Sequence, residues 1–148
     1  MKGFHTIDLT KTKMRKRVGK GAFSTVIRIS KKRVVKVFDL KLTDKTIKRL
    51  VKDEVKGSKI YKDALPVLKE VVVKGKKGKV FYGLLKEYLP YKITKKDIIK
   101  SKAWDKKREN FRKKCRNGKP YLIDTQTRKT IRIMKTYPWA YPRNKIWA

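Results

Sequence analysis

The chain has 148 residues, of which 45 are Lys or Arg and 12 are Asp or Glu, so its formal net charge is +33 with the single His neutral. Hydrophobic residues make up 39% of the sequence, which is enough to form a core and argues against a wholly disordered chain. No run of about 18 apolar residues occurs, so no membrane span is expected. One Cys and one His exclude an intramolecular disulfide and a Cys/His zinc site.

The first predicted elements are short strands on either side of a lysine turn. Gly19 and Gly21 interrupt the pattern before residues 24–30, where apolar and polar residues alternate. A second strand is predicted over residues 34–38, after a tight turn at Lys31-Lys32. Because the connection is so short, the two strands are expected to pair antiparallel.

A helix is predicted next, capped by Thr43 or Asp44. Apolar residues recur at helical spacing, and Glu54 lies on the same stripe as Ile47 and Leu50. Gly57 is expected to weaken this helix by about 1 kcal/mol relative to Ala.

The sequence after the helix predicts a hairpin. Residues 65–74 form its first strand, residues 75–78 its loop and residues 79–88 its second strand.

Beyond the hairpin the pattern is weaker. The polar stretch 92–116 is predicted to be partly helical, and Asn117-Gly118 marks a turn before residues 120–123. A last strand is predicted over residues 129–134, and the aromatic, proline-containing segment 137–142 is expected to be irregular.

Taken in order, these elements resemble a protein kinase. Residues 19–26 look like the glycine-rich loop that folds over ATP phosphates, where glycine lets backbone N–H groups approach phosphate oxygens. The third glycine of the family pattern is replaced by Ser24 in this chain. The resemblance implies nucleotide contacts from Gly19, Lys20, Gly21, Ala22, Phe23, Ser24 and Val26.

Three further residues complete the nucleotide site that the resemblance implies. Lys36, in Val34-Val35-Lys36-Val37, is similar to the phosphate-binding lysine, and Glu54 to its ion-pair partner on the helix. Residues 84–89, which include Glu87, resemble the hinge whose backbone meets adenine.

The second half carries the motifs that imply catalysis. Asp105 and Asn110, separated by four residues, resemble the ends of the catalytic loop. Asp105 would orient or deprotonate the substrate hydroxyl, Lys107 would neutralise the transferring phosphoryl group, and Asn110 would hold magnesium. Asp124 looks like the metal-binding aspartate that follows the next hairpin.

The resemblance implies an α+β fold: a kinase-like small lobe with an antiparallel sheet of about five strands plus one helix, and a much reduced second lobe. A single domain over residues 1–148 is expected, with the small lobe at about 1–90 and the reduced catalytic lobe and tail at 91–148. The implied activity is ATP- and Mg²⁺-dependent phosphoryl transfer to protein Ser or Thr. Because so little chain forms the second lobe, a partner or a second copy is expected to complete its core.

An alternative function remains open from the charge alone. A surface this basic predicts a polyanionic partner, so the chain is also interpreted as a non-catalytic kinase-like scaffold or as a nucleic-acid-binding protein. Residues 1–5 show no secretory signal, and an intracellular location is expected. The lysine bias, the short length and the divergent motifs suggest a viral product, in the host cytoplasm or nucleus or packaged in a virion.

Overall fold

A computed structural model describes residues 5–21, 23–97, 108–125, 132–133 and 137 of the chain. The described residues divide into two units. The first comprises the residues up to Ile47 together with Val67–Tyr88, and the second comprises Lys48–Pro66 and the residues from Leu89 onward.

The first unit is built on a six-stranded sheet in the order β1-β5-β6-β4-β3-β2. Its strands are β1 His5–Asp8, β2 Lys16–Lys20, β3 Ser24–Arg28, β4 Arg33–Phe38, β5 Lys69–Lys74 and β6 Val80–Glu87. All neighbours pair antiparallel except β1 and β5, which run parallel.

The α+β class is confirmed, but the sheet differs from the expected one. A sixth strand, β1, was missed in the sequence, and its parallel pairing makes the sheet mixed. The reason is that β1 has only four residues and pairs with a strand far along the chain, so neither a periodic pattern nor a nearby turn marks it.

One face of this sheet carries a hydrophobic core. The residues that form it alternate along β4 and β5 and are joined by two residues from the start of the chain: Ile7, Leu9, Val35, Val37, Val71 and Val73. Partly buried side chains, including Ile27 and Leu85, pack against this cluster. On β4, Val34 and Phe38 are buried as well, so both faces of the central strand are covered.

The helix predicted after the cap is present: α1 spans Asp44–Ile60, and it is the one α-helix longer than a turn among the described residues. Thr43 caps it, because its Oγ1 accepts a hydrogen bond of 3.2 Å from the N–H of Thr46. Ile47, Leu50 and Glu54 are buried, which confirms the predicted stripe. No helix within the described ranges combines the length and hydropathy needed to cross a membrane.

The second unit contains a small antiparallel sheet in the order β7-β8-β9. Its strands are β7 Tyr91–Lys92, β8 Phe111–Lys113 and β9 Tyr121–Leu122. Phe111 and Leu122 pair across β8 and β9 and form a core with Tyr61 and Ile93.

The segment that follows α1 pairs with β9. Leu122 donates its N–H to Asp63 O at 2.9 Å, and Leu122 O accepts from the N–H of Leu65 at 2.8 Å. Ala64 therefore forms a parallel bridge with Leu122, and the strand predicted to begin at residue 65 begins only at Lys69.

The strand predicted over residues 129–134 is wrong at residues 132 and 133, the two positions of this range that the structure describes. Arg132 and Ile133 are helical, with Ile133 buried and Arg132 exposed. A short run of alternating apolar residues fits one helical turn as well as a strand, so periodicity alone does not distinguish them.

Candidate functional site

The predicted glycine-rich loop joins β2 and β3. Its turn is closed by a hydrogen bond of 2.8 Å from the N–H of Gly21 to Ser24 O. Phe23 is buried, and its carbonyl accepts a hydrogen bond of 2.8 Å from the N–H of Asp39. The loop is thereby fixed to the end of β4, while Lys20 and Gly21 are exposed. Ala22 lies outside the described residues.

The fold itself does not require glycine at either position of this loop. A Cβ on Gly19 would lie 3.6 Å from Val26 Cβ, and one on Gly21 would lie 3.7 Å from Ser24 Oγ, both ordinary contacts. Neither glycine has a positive φ. The pairing of β2 with β3 shifts register between Arg17 and Gly19, and such an irregularity is a common place for glycine in a strand.

Lys36 lies in a row of residues that face one another across four strands. Gly19 of β2 pairs with Val26 of β3, Val26 pairs with Lys36 of β4, and Lys36 pairs with Leu84 of β6. Directly opposed residues of antiparallel strands share a face, so these four positions, here called the lysine row, lie on one side of the sheet. The hydrophobic core lies on the other side.

Lys36 is only 7% exposed. Val34 and Phe38, two residues away on either side, share its face and are buried too. An ammonium group in such surroundings is costly unless anionic or hydrogen-bonding groups neutralise it. The position therefore favours a negatively charged partner for Lys36.

The predicted hinge continues from β6. Glu87 is half-buried and lies opposite Arg33. The next residue, Tyr88, donates its N–H to Lys32 O at 2.8 Å, so this donor is committed to the sheet. The guanidinium carbon of Arg28 lies 4.1 Å from the centre of the Tyr88 ring, a cation–π contact that fixes the end of the strand.

In the second unit, the two predicted magnesium ligands meet at one end of a hairpin. Asn110 ends the 3₁₀ turn before β8, and its carbonyl accepts a hydrogen bond of 2.8 Å from the N–H of Ile123. Asp124 is the residue after Ile123. The structure thus brings Asn110 and Asp124 to the same end of the β8–β9 pair.

Glu54 is also joined to this hairpin. It is fully buried, and its backbone carbonyl accepts a hydrogen bond of 2.8 Å from Thr125 Oγ1. Thr125 is itself fully buried. A Cβ on Gly57 would overlap the Thr125 carbonyl, lying 2.7 Å from its carbon. The glycine that seemed only to weaken the helix is what lets the chain after Asp124 lie against α1.

Arg112 connects the hairpin to the chain that follows the predicted hinge. Its Nε donates to Leu89 O at 2.5 Å and its Nη2 donates to Pro90 O at 2.9 Å. The start of the second unit is thereby held beside β8.

A partly buried ion pair supports the far end of β8. Lys113 Nζ lies 3.1 Å from Asp97 Oδ2, with the two side chains 7% and 15% exposed. The N–H of Thr94 also donates to Asp97 Oδ2, at 2.6 Å. That hydrogen bond and the Lys113 ammonium hold the pKa of Asp97 below its ordinary value. Asp97 also donates its N–H to Thr94 O at 3.1 Å, so residues 94–97 form a closed turn.

Part of the predicted site is not tested by the structure. Asp105 and Lys107 lie outside the described residues. The ion pair between Lys36 and Glu54 stays a prediction. In the described part of the chain, no three His, Cys, Asp or Glu side chains form a cluster that would bind a metal.

Sequence reasoning missed several residues that shape these sites. A glycine inside a helical pattern often marks a close approach of another segment, and that signal was available at Gly57. The spacing of Thr94 and Asp97 is another readable signal. Nothing in the sequence marks Arg112 or Thr125, because their partners are 23 and 71 positions away.

Comparison with known proteins gave no relative from which to assign a family. No family model, no curated protein and no solved structure matches the chain.

Proposed function

We propose that this chain is a kinase-like phosphotransferase that uses Mg·ATP to phosphorylate Ser or Thr hydroxyls of proteins. The observation that carries the proposal is the lysine row. It aligns the exposed glycine loop, the buried Lys36 and the strand that leads into the hinge on a single face of one sheet.

The order of elements supports this reading. A glycine-loop hairpin, a lysine strand, a helix with a buried glutamate, a second hairpin and a hinge follow one another along the chain. The resemblance implies the same order. The additional strand β1 extends the far edge of the sheet, separated from β2 by four strands, and leaves the glycine loop unchanged.

The metal ligands also fit. Asn110 supplies an amide oxygen and Asp124 a carboxylate, and Mg²⁺ prefers hard oxygen ligands, with few from protein and the rest from phosphates and water. Both residues lie at the end of the β8–β9 pair that the Ile123–Asn110 hydrogen bond closes. When bound, Mg²⁺ would neutralise charge on the phosphates.

The chain's own residues have separate roles in this proposal. Lys36 supplies a fixed positive charge to the phosphates, and its burial strengthens that interaction. Asp124 and Asn110 hold the metal. Asp105 orients the hydroxyl nucleophile, and Lys107 offsets charge on the transferring group. Such catalysis depends on positioning and electrostatics more than on covalent chemistry.

The test begins with nucleotide binding. Mg·ATP at about 100 times its Kd should raise the melting temperature by about 5 to 10 °C. Lys36→Met should abolish this shift, since it removes the charge and keeps an unbranched side chain. Lys74→Met, at an exposed position on β5, is the matched control and should retain the shift.

The second step is transfer of label from γ-labelled ATP to dephosphorylated casein or to the chain itself. Label on serine or threonine, lost in Lys36→Met, supports the proposal. A nucleotide-dependent shift without transfer would favour the non-catalytic scaffold. The absence of any shift at millimolar Mg·ATP would contradict both forms of the kinase-like reading.

A further inference from the structure

The exposed side of α1 carries a continuous stripe of cations in the second unit. Five residues form it, all exposed: Lys48, Arg49, Lys52, Lys56 and Lys59. An α-helix turns about 100° per residue, so these five side chains fall within a sector about 100° wide. No other residue of the helix from Lys48 onward falls in that sector.

The acidic residues of the helix lie outside the stripe. Asp53 and Glu54 are buried, and Asp44 belongs to the first turn. Apart from the adjacent Lys48 and Arg49, neighbours in the stripe are three or four positions apart, as in Lys48–Lys52 and Lys52–Lys56. Like charges at these spacings destabilise a helix. The helix thus carries a repulsion that a bound polyanion would relieve.

The stripe is long enough for several phosphates. From Lys48 to Lys59 the helix rises about 16 Å, and the cations after Arg49 follow one another at rises of about 4.5 to 6 Å. A linear polyanion, whose charges repeat at a regular distance, matches this arrangement.

We propose that this stripe binds the phosphate backbone of nucleic acid without reading its sequence. Contacts from Lys and Arg to phosphates are the usual positioning contacts in such complexes. The stripe has no Asn or Gln to read adenine edges and no Asp or Glu to read cytosine edges. A membrane-surface helix would need an apolar face free to insert, whereas here Ile47, Leu50 and Val51 are buried. Protein interfaces are depleted in Lys, which disfavours an acidic protein.

The test compares two variants of equal charge. In one, Lys48, Arg49, Lys52, Lys56 and Lys59 are each changed to Gln. In the other, five exposed lysines dispersed over loops and strands are changed to Gln: Lys11, Lys31, Lys69, Lys76 and Lys92. Each variant lowers the net charge from +33 by five, to +28. Gln has nearly the helix propensity of Lys, so circular dichroism should show both variants folded.

Binding of a fluorescent 20-base-pair duplex is measured by anisotropy at several salt concentrations, without ATP. Each phosphate contact contributes about 0.9 to the slope of log K against log salt. The magnitude of that slope should fall by about 2 to 4.5 in the stripe variant and by less than about 1 in the dispersed variant. The stripe variant should also melt at a higher temperature than the parent, because the like-charge pairs 48/52, 49/52, 52/56 and 56/59 are removed.

Three results would overturn the proposal. An equal decrease of the slope in both variants would mean that DNA is attracted by the overall charge and that the stripe is not a binding site. Tighter binding of the parent to phosphatidylserine vesicles or to polyglutamate than to DNA, at the same salt, would assign the stripe to another partner. No DNA binding at low salt would remove the proposal. Since ATP is absent, each result is independent of the proposed kinase activity.

Discussion

The hydroxyl of Thr125 donates a hydrogen bond of 2.8 Å to the backbone carbonyl of Glu54, 71 positions earlier in the chain. Both residues are fully buried. Asp124, one of the two proposed metal ligands, directly precedes Thr125. This hydrogen bond therefore fixes the backbone next to that carboxylate against one turn of α1. A substitution in either segment should shift the position of the other.

We therefore expect Thr125→Val to lower the stability of the fold and to weaken the binding of magnesium. Val keeps the shape of Thr but removes the donor, and the lost hydrogen bond should lower the free energy of unfolding by about 0.5 to 1.5 kcal/mol. Urea denaturation measures this change. The magnesium concentration that gives half of the ATP-induced thermal shift should rise as well. Thr125→Ser, which restores the hydroxyl, should recover most of the magnesium effect; if it does not, the hydrogen bond is not what positions Asp124.

Substitution of glycines should separate folding from ligand binding. Gly57→Ala would improve helix propensity in an open helix, yet here its Cβ meets the Thr125 carbonyl. We expect a loss of about 2 kcal/mol or more, because backbone must shift. In Gly21→Ala the new Cβ makes only ordinary contacts with Ser24, so this variant should keep the parent melting temperature while reducing the ATP-induced shift. Thermal unfolding with and without Mg·ATP measures both. A stable Gly57→Ala protein would contradict the packing described.

The two proposed catalytic carboxylates should differ in what they affect. Asp124→Asn should remove the magnesium-dependent part of ATP binding and also the transfer of label, since Asp124 holds the metal. Asp105→Asn should keep the thermal shift and lower transfer by about 100-fold to 10,000-fold, as expected for a group that acts on the nucleophile. Asp44→Asn, at the exposed start of α1, is the control. Retention of transfer in Asp105→Asn would remove that residue from the mechanism.

The depressed pKa of Asp97 predicts how stability responds to acid. A carboxyl whose pKa is lower in the folded state than in the unfolded state stabilises the fold above its unfolded pKa, near 3.8. That contribution is lost as the pH falls through the lower, folded pKa. Asp97→Asn should therefore cost stability at pH 7, and the difference from the parent should shrink below about pH 4.

Urea midpoints between pH 7 and pH 3 test this prediction. Glu70→Gln, which removes one exposed carboxylate from β5, corrects for the change in net charge. A constant difference between parent and Asp97→Asn over the whole range would contradict the pairing of Asp97 with Thr94 and Lys113.

The local parts of the fold could be predicted because their signals are local. Thr43 and the apolar spacing from Ile47 predicted α1, and the glycines near residues 75–78 predicted the β5–β6 hairpin. The strand with Lys36 was recognisable as a single charge in a run of Val and Phe. In each case the residues that decide the structure lie within a few positions of one another.

The features that required the structure all depend on distant residues. The lysine row depends on the register of four strands, and this register cannot be read from the sequence. Arg112 and Thr125 contact carbonyl groups that any residue would supply, so no residue type reveals them. The catalytic role of Asp105 rests on the sequence resemblance alone. For the candidate site, the sequence indicates the residue types. The structure shows that Gly19, Val26, Lys36 and Leu84 lie opposite one another in a single row.

The parallel pairing of β1 with β5 has a consequence for how the chain reaches its folded state. His5 pairs with Val71, 66 positions later, so this contact closes a long loop, whereas β2–β3–β4 and β5–β6 need only short ones. We expect β1 to join last. Until it does, β5 is an open edge with three consecutive valines, Val71-Val72-Val73, the kind of edge that templates association between chains. Once β1 has paired, β5 is no longer an edge, so its valines can template association between chains only in the partly folded molecule.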